Sequence, residues 1–413
     1  MRSVIYFVAL FLFFLMLFVP TSYRLPKSAL MGLLCMAIIL KLFTTGRKSL
    51  HKHVIAIGLL NIGTGIFFTM YGWNNNNPGV LNTITVYVVW PILYMLYVSG
   101  ISSYKMINGL TRALIYSSYA IGIYSLMYIL HSIGYLPDFL YIELDQGQLF
   151  SFTPGNLGYR LYSLGTVGFL CPFFISALIF WKSWSNPPVN RTTLYVGLIF
   201  CLILILISGR RGLLGLVIIA PILTLMSLSI ITMNRMLLLK SFCLILCLFF
   251  GGFFLLDYFN IVHPERFYKL FLSGFRTSSD AGAIWRLGSG ISLFDDWLQK
   301  PILGYGNGAV SSLPGGAISS PWAYELSYLA LLFHTGLVGT SIYFLSILWI
   351  FRKGFQLLRS HSELRFYLLP LLVGLLSFLI LNSTNPYLEK YDFLWVIFFP
   401  VSVINYWLIH NKQ

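Results

Sequence analysis

Two adjacent arginines, Arg210 and Arg211, interrupt the apolar run LILISGRRGLLGLVII. A charge in hydrocarbon is costly, so such residues either meet an anion or reach the lipid headgroups at a nearby interface. Guanidinium forks stay ionised and match phosphate oxygens two at a time. Gly209 and Gly212 flank the pair, which would let a bulky anion approach the backbone where a helix begins. Arg160 follows TPGNLGY at the start of another apolar run. Arg266, Arg276 and Arg286 recur at intervals of ten in one polar stretch. On one continuous helix that spacing would turn successive members roughly 80° apart. The glycines and serines between them predict separate short elements instead.

A group that takes a proton would complement these cations. Glu325, in SPWAYELSY, stands just ahead of an apolar run, where partial burial would suit it to general-base work. The alternative is an ion pair with one of the arginines. Glu389 and Asp392, in NPYLEKYDF, are further carboxylates ahead of the last apolar run. Asp295 and Asp296 are adjacent and would diverge by about 100° on a helix, which predicts a solvated face rather than a metal site. No metal and no cofactor is expected, because arginine can supply the positive charge. Trp285, Tyr305, Asn307 and Tyr324 are candidate glycan contacts, with Trp297 and Trp322 nearby, although such aromatic residues also populate any membrane interface. His334 lies inside an apolar run and reads as a packed or hydrogen-bonded histidine.

The elements that must hold these residues are membrane spans. Of 413 residues, 58% are hydrophobic and 9% charged, far from the roughly 25% charged residues of soluble proteins. Apolar runs of about 17–25 residues recur along the chain, each long enough to cross a bilayer as a helix. The fold class expected is an all-α polytopic membrane protein, one integral domain over residues 1–413. A β-barrel is excluded because its strands would alternate polar and apolar residues. Twelve spans are expected: 4–20, 28–45, 54–71, 83–99, 113–133, 161–181, 192–208, 212–230, 238–256, 324–350, 366–381 and 392–409. Residues 257–323 form one large loop between the ninth and tenth. All five cysteines fall in apolar runs and read as packing residues.

The net charge of +15 sorts by side. The loops on the side of the termini carry 16 of the 27 Lys and Arg and a single acid, Glu363, whereas the other side carries 11 basic and 11 acidic residues. Basic short loops mark the cytoplasmic side, so both termini are expected there, with the arginines and the large loop outside. The charge is thus a topology signal, and no nucleic-acid partner is expected.

In order along the chain, GYRLYSLGTVGFLCP, LISGRRGLLG, RLGSGISLFDDWLQKPILGYGNG and ELSYLALLFHTGLVG resemble segments of the O-antigen polymerase and O-antigen ligase superfamily, the Wzy-like and WaaL-like proteins. The resemblance covers about residues 150–345 and is carried by loose motifs taken together. It implies a fold like the glycosyltransferase C class, a bacterial inner-membrane location and a large periplasmic loop. The implied partners are a polyprenyl-pyrophosphate-linked oligosaccharide, membrane lipids, and a chain-length regulator and flippase of the same pathway. It also implies that Arg160, Arg210, Arg211, Arg276 and Arg286 face the donor pyrophosphate. Within the motif, Ser208, Arg211 and Gly212 match the Ser/Arg/Gly step, so Arg211 is assigned to the donor and Arg210 chiefly to the lipid interface. Arg211, Arg286 and Glu325 are the expected catalytic residues. Ligases of the superfamily carry a histidine just before the span that begins near Glu325. This chain has none there, which favours a polymerase over a ligase. A flippase for the same lipid-linked sugars is the rival of another class.

Overall fold

The computed structural model describes residues 2–45, 49–132, 134–141, 144, 163–181, 187–208, 210–232, 236, 281–313, 320–361 and 364–410. Among them the regular structure is entirely helical. The α-helices are α1 (Arg2–Phe18), α2 (Arg24–Thr45), α3 (Lys52–Asn74), α4 (Val80–Ile84), α5 (Trp90–Gly100), α6 (Tyr104–Ser132) and α7 (Leu164–Ile179). They continue with α8 (Arg191–Ser208), α9 (Arg211–Thr232), α10 (Ala281–Gln299), α11 (Ser327–Ser360), α12 (Arg365–Asn382) and α13 (Trp395–His410). Helices α4 and α5 form one rod through a π-helical turn, Thr85–Val89. The turn precedes Pro91, which cannot donate to the ladder.

Nine of the described helices are long and apolar enough to cross a membrane, and α1 and α7 are shorter apolar helices. A helix satisfies its own backbone hydrogen bonds, which is what the bilayer interior demands. The chain is therefore an α-helical polytopic membrane protein. The expected ninth span (238–256), with Cys243 and Cys247, and the first part of the large loop lie outside the described residues. The remaining cysteines, Cys35, Cys171 and Cys201, are buried and free.

Packing divides the helices into a core and a rim. Helices α7 and α12 lie at the centre, where almost every residue is buried whatever its polarity. Close approach there rests on small residues, as it does between membrane helices generally: a Cβ added to Gly374 would come within 2.9 Å of the Phe169 ring. The rim helices bury only one stripe. On α2, Leu33, Met36, Leu40 and Phe43 are all exposed at helical spacing, a stripe that only lipid covers at no cost.

Long-range polar bonds link the helix ends on each side. On one face, Thr21 N, in the α1–α2 turn, donates to Asp392 Oδ2 at 2.9 Å. Lys27 Nζ meets Asp392 Oδ1 at 2.7 Å, and both side chains are fully buried. Lys27 also donates to Val19 O at 2.6 Å. Arg210, in the α8–α9 turn, reaches Tyr387 in the α12–α13 connection. On the opposite face, Asn405 near the end of α13 holds the start of α3 through His51 N and Ser49 O. There too, Arg359 at the end of α11 donates to Ile230 O near the end of α9.

Helix α11 is broken at Gly336, where φ is 58° and ψ is −166°. A left-handed φ is open to glycine at little cost, and the break frees backbone groups that the membrane would leave unsatisfied. The segment Pro301–Gly306 takes them up. Tyr305 N and Gly306 N donate to Phe333 O and His334 O at 3.0 and 2.8 Å, while Leu337 N and Val338 N donate to Pro301 O and Ile302 O at 2.9 and 3.1 Å. The asparagine-rich loop after α3 clamps the same segment from the other side. Asn77 Nδ2 donates to the carbonyls of Tyr305, Gly306 and Asn307, and Asn75 Nδ2 donates to Tyr305 O.

Candidate functional site

Two clusters on the Arg210 face contain the described candidate residues. In the first, Arg210 is half-buried just before α9 and donates from Nη1 to Tyr387 Oη at 2.9 Å. Its backbone N–H is received by Ser208 Oγ at 3.3 Å. This revises the expectation that Arg210 serves chiefly the lipid interface. Arg210 stands just outside α9 and within reach of the α12–α13 connection, so its guanidinium finds a protein partner. Tyr387 is buried against Phe378 and Phe393. Burial raises its phenol above the usual range, and the Arg210 charge works against that shift. Arg211 is the first residue of α9.

The same connection carries Glu389 and Lys390, both half-buried. Burial pushes the Glu389 carboxyl up to about 8, opposed by the neighbouring Lys390 charge. Lys390 is lowered, again mainly by burial, within the fields of Glu389, Arg210, Asp392 and Arg24. Asp392 is committed to Lys27 and Thr21 N through its two oxygens, so it acts as a tie between α2 and the mouth of α13 and not as a free carboxylate.

In the second cluster, Arg286 on α10 pairs with Glu325, Nε to Oε2, at 2.5 Å. Both side chains are about half exposed. Glu325 is therefore a half-exposed, ion-paired carboxylate, which is the alternative arrangement expected for it. Trp285, Ser289, Leu293, Tyr324 and Leu326 complete a small notch around the pair. Tyr324 is buried, and its hydroxyl accepts from Ser311 N at 2.6 Å. Asp296 receives Ser311 Oγ at 2.7 Å and Ser312 N at 2.8 Å. It holds that loop against α10, while Asp295 is exposed. Among the described residues no group of three or more His, Cys, Asp and Glu could hold a metal.

The glycan candidates separate by exposure. Trp285 is open on α10. Tyr305 is half-buried, stacks on Phe333 with ring centroids 4.9 Å apart, and lies beneath Lys300 Nζ at 4.5 Å. Asn307 is fully buried and donates to Thr69 Oγ1 at 3.2 Å, which makes it part of the clamp under the broken helix. His334 is buried and hydrogen-bonded to Ala309 O at 3.1 Å. Arg160, Arg266 and Arg276 lie outside the described residues.

The two clusters are neighbours through α11. Tyr328, three residues after Glu325, donates to Leu379 O of α12 at 2.5 Å. The end of α12 in turn shapes the connection, since Leu388 N donates to Asn382 Oδ1 at 2.9 Å. Sequence reasoning passed over Arg24, Lys27, Tyr387 and Lys390. A signal was available in NPYLEKYDF, where three charges precede a span within four residues. No family model matches the chain, and no curated protein matches it at a significant level.

Proposed function

We propose that this chain is an O-antigen-type polysaccharide polymerase. It would move a growing glycan from polyprenyl pyrophosphate onto the next lipid-linked repeat unit, as a metal-independent glycosyltransferase at the periplasmic face of the bacterial inner membrane. The observation that carries the proposal is the Arg210–Tyr387 bond, which links a cation at the start of α9, beside Arg211, to the α12–α13 connection that also carries Glu389 and Lys390. Fixed cations at a helix start are suited to the charge that develops on a departing pyrophosphate. Arg211 is assigned that role, with Arg210 and Arg286 as further cations; the motif resemblance adds Arg160 and Arg276, which lie outside the described residues. The motif resemblance supplies the substrate class. Partners of the same pathway would be a flippase and a chain-length regulator.

One observation favours a carrier: broken helices near the bilayer centre commonly bind transported solutes, and α11 is broken at Gly336. In carriers the unwound groups face the ligand. Here Pro301–Gly306 takes up the Phe333 and His334 carbonyls and the Leu337 and Val338 amides. A polymerase remains the better account.

The glycan ladder of cells lacking the protein distinguishes the readings. A polymerase predicts loss of all long chains with one capped repeat remaining, whereas long lipid-linked chains would accumulate without a ligase. An unchanged ladder rejects both. Sidedness is checked separately. A reporter fused after Ser289 should be active only when exported, and one after Arg359 only in the cytoplasm, following the 16-to-1 basic excess. Reversal of both signals would put the arginines on the wrong side for this reaction.

A further inference from the structure

We infer that Glu389, and not Glu325, accepts the proton of the acceptor hydroxyl in this transfer. The inference rests on the polymerase reading and names a residue within it. In the step, the acceptor oxygen bonds to the anomeric carbon of the donor glycan. The bond from that carbon to the phosphate oxygen breaks, and its electron pair leaves on polyprenyl pyrophosphate. The hydroxyl proton passes to the Glu389 carboxylate, and the leaving charge is met by the arginines.

The described carboxylates on this face differ chiefly in what already occupies them. Asp392 is bonded through both oxygens to Lys27 and Thr21 N. Asp296 is spent on Ser311 and Ser312. Asp138 is exposed and bonded to His131 at 2.9 Å. Asp295 is exposed on α10, and Glu325 is half-exposed and tied to Arg286. Glu389 is half-buried and has no ion pair among the described residues. It is carried on the same α12–α13 connection as Tyr387, the residue that receives Arg210, so an unoccupied proton acceptor and an anchor of the arginine turn share one short segment.

The electrostatics agree with the geometry. The charged group that acts on Glu389 is Lys390 on its own segment; Glu389 in turn acts on Tyr87 of the π-helical turn, and Arg210, Arg24 and Asp392 act on Lys390. Burial outweighs the Lys390 charge and pushes the Glu389 carboxyl up to about 8. The basic form is the deprotonated one, so its fraction, and with it the rate, should climb as pH rises towards that value and level off above it.

The test is polymerisation of a synthetic polyprenyl-pyrophosphate repeat unit by purified protein between pH 6 and 9. Wild type, Glu389→Gln and Glu325→Gln are compared at equal amounts, with polyprenyl-pyrophosphate binding measured alongside. Glu389→Gln is expected to lose about 100-fold in turnover, in the range of general-base catalysis, with binding within a few-fold of wild type. Glu325→Gln should keep most of its turnover and the rising pH profile. Wild-type turnover in Glu389→Gln overturns the inference, as does loss confined to Glu325→Gln. A wild-type rate that is flat from pH 6 to 9 also overturns it, with no variant needing to fold. Failure of the polymerase reading looks different: wild type would bind the repeat unit and make no polymer at any pH.

Discussion

Arg211→Ala should lower turnover by about 10²–10³, while donor binding changes far less. That is the size of loss seen when one donor to a developing oxyanion is removed, and it falls on rate because the charge exists fully only in the transition state. Arg211→Lys should remain substantially impaired, because an ammonium keeps the charge but lacks the planar fork. Arg210 behaves differently in this fold. Its guanidinium is engaged by Tyr387, so Arg210→Lys and Tyr387→Phe should produce similar, smaller losses. The double variant should be little worse than either single one, as expected for two residues that act through a shared bond. The measurement is the glycan ladder and the in vitro rate at equal protein. A normal ladder from Arg211→Ala would remove its assignment to the donor. Strictly additive losses from the Arg210 and Tyr387 variants would show that their bond does not matter.

Lys27→Met or Asp392→Asn should each destabilise the protein by about 3–5 kcal/mol, the usual cost of stranding one member of a buried ion pair. The two residues are fully buried and 2.7 Å apart, and each has a second backbone partner, Val19 O for Lys27 and Thr21 N for Asp392. Loss of either charge therefore unties the α1–α2 turn from the mouth of α13. Replacing both by apolar residues of similar size should recover much of the loss, because the uncompensated charge is gone. The thermal midpoint in detergent, read by loss of monodisperse protein, would report both effects. Midpoints that simply add in the double variant would mean that the pair is not coupled. The α12–α13 connection also carries Tyr387 and Glu389, so a weakened tie should reduce activity even where the protein still folds.

The helical membrane architecture was legible in the sequence. The length of an apolar run and its distance from charge are local quantities, and a helix satisfies its backbone from within its own segment. Among the described residues nine helices are long and apolar enough to cross a membrane and α1 and α7 are shorter, so the helical architecture is shown while the count of twelve is not, and 238–256 lies outside the described residues. The placement of Arg210 between two helices followed from the same reasoning, since Gly209 and the two arginines interrupt a continuous apolar run. The partner of Arg210 did not, because Tyr387 is 177 residues away.

The carboxylates show most plainly where sequence ran out. In NPYLEKYDF and SPWAYELSY, Glu325, Glu389 and Asp392 look alike: each stands a few residues ahead of an apolar run. The tertiary structure separates them by occupancy, pairing Asp392 with Lys27 across 365 positions and Glu325 with Arg286 across 39. It leaves Glu389 half-buried beside Lys390. The asparagine run and the GYGNG segment are a second case, since their union under the break in α11 joins positions about 230 apart. Residue type and spacing determined that this chain spans a membrane as helices and gathers arginine at the ends of some of them. Which charge meets which was decided only when the helices packed, because a charge that loses water is stabilised by whatever group lies within hydrogen-bond reach, and that reach is set in space and not along the chain.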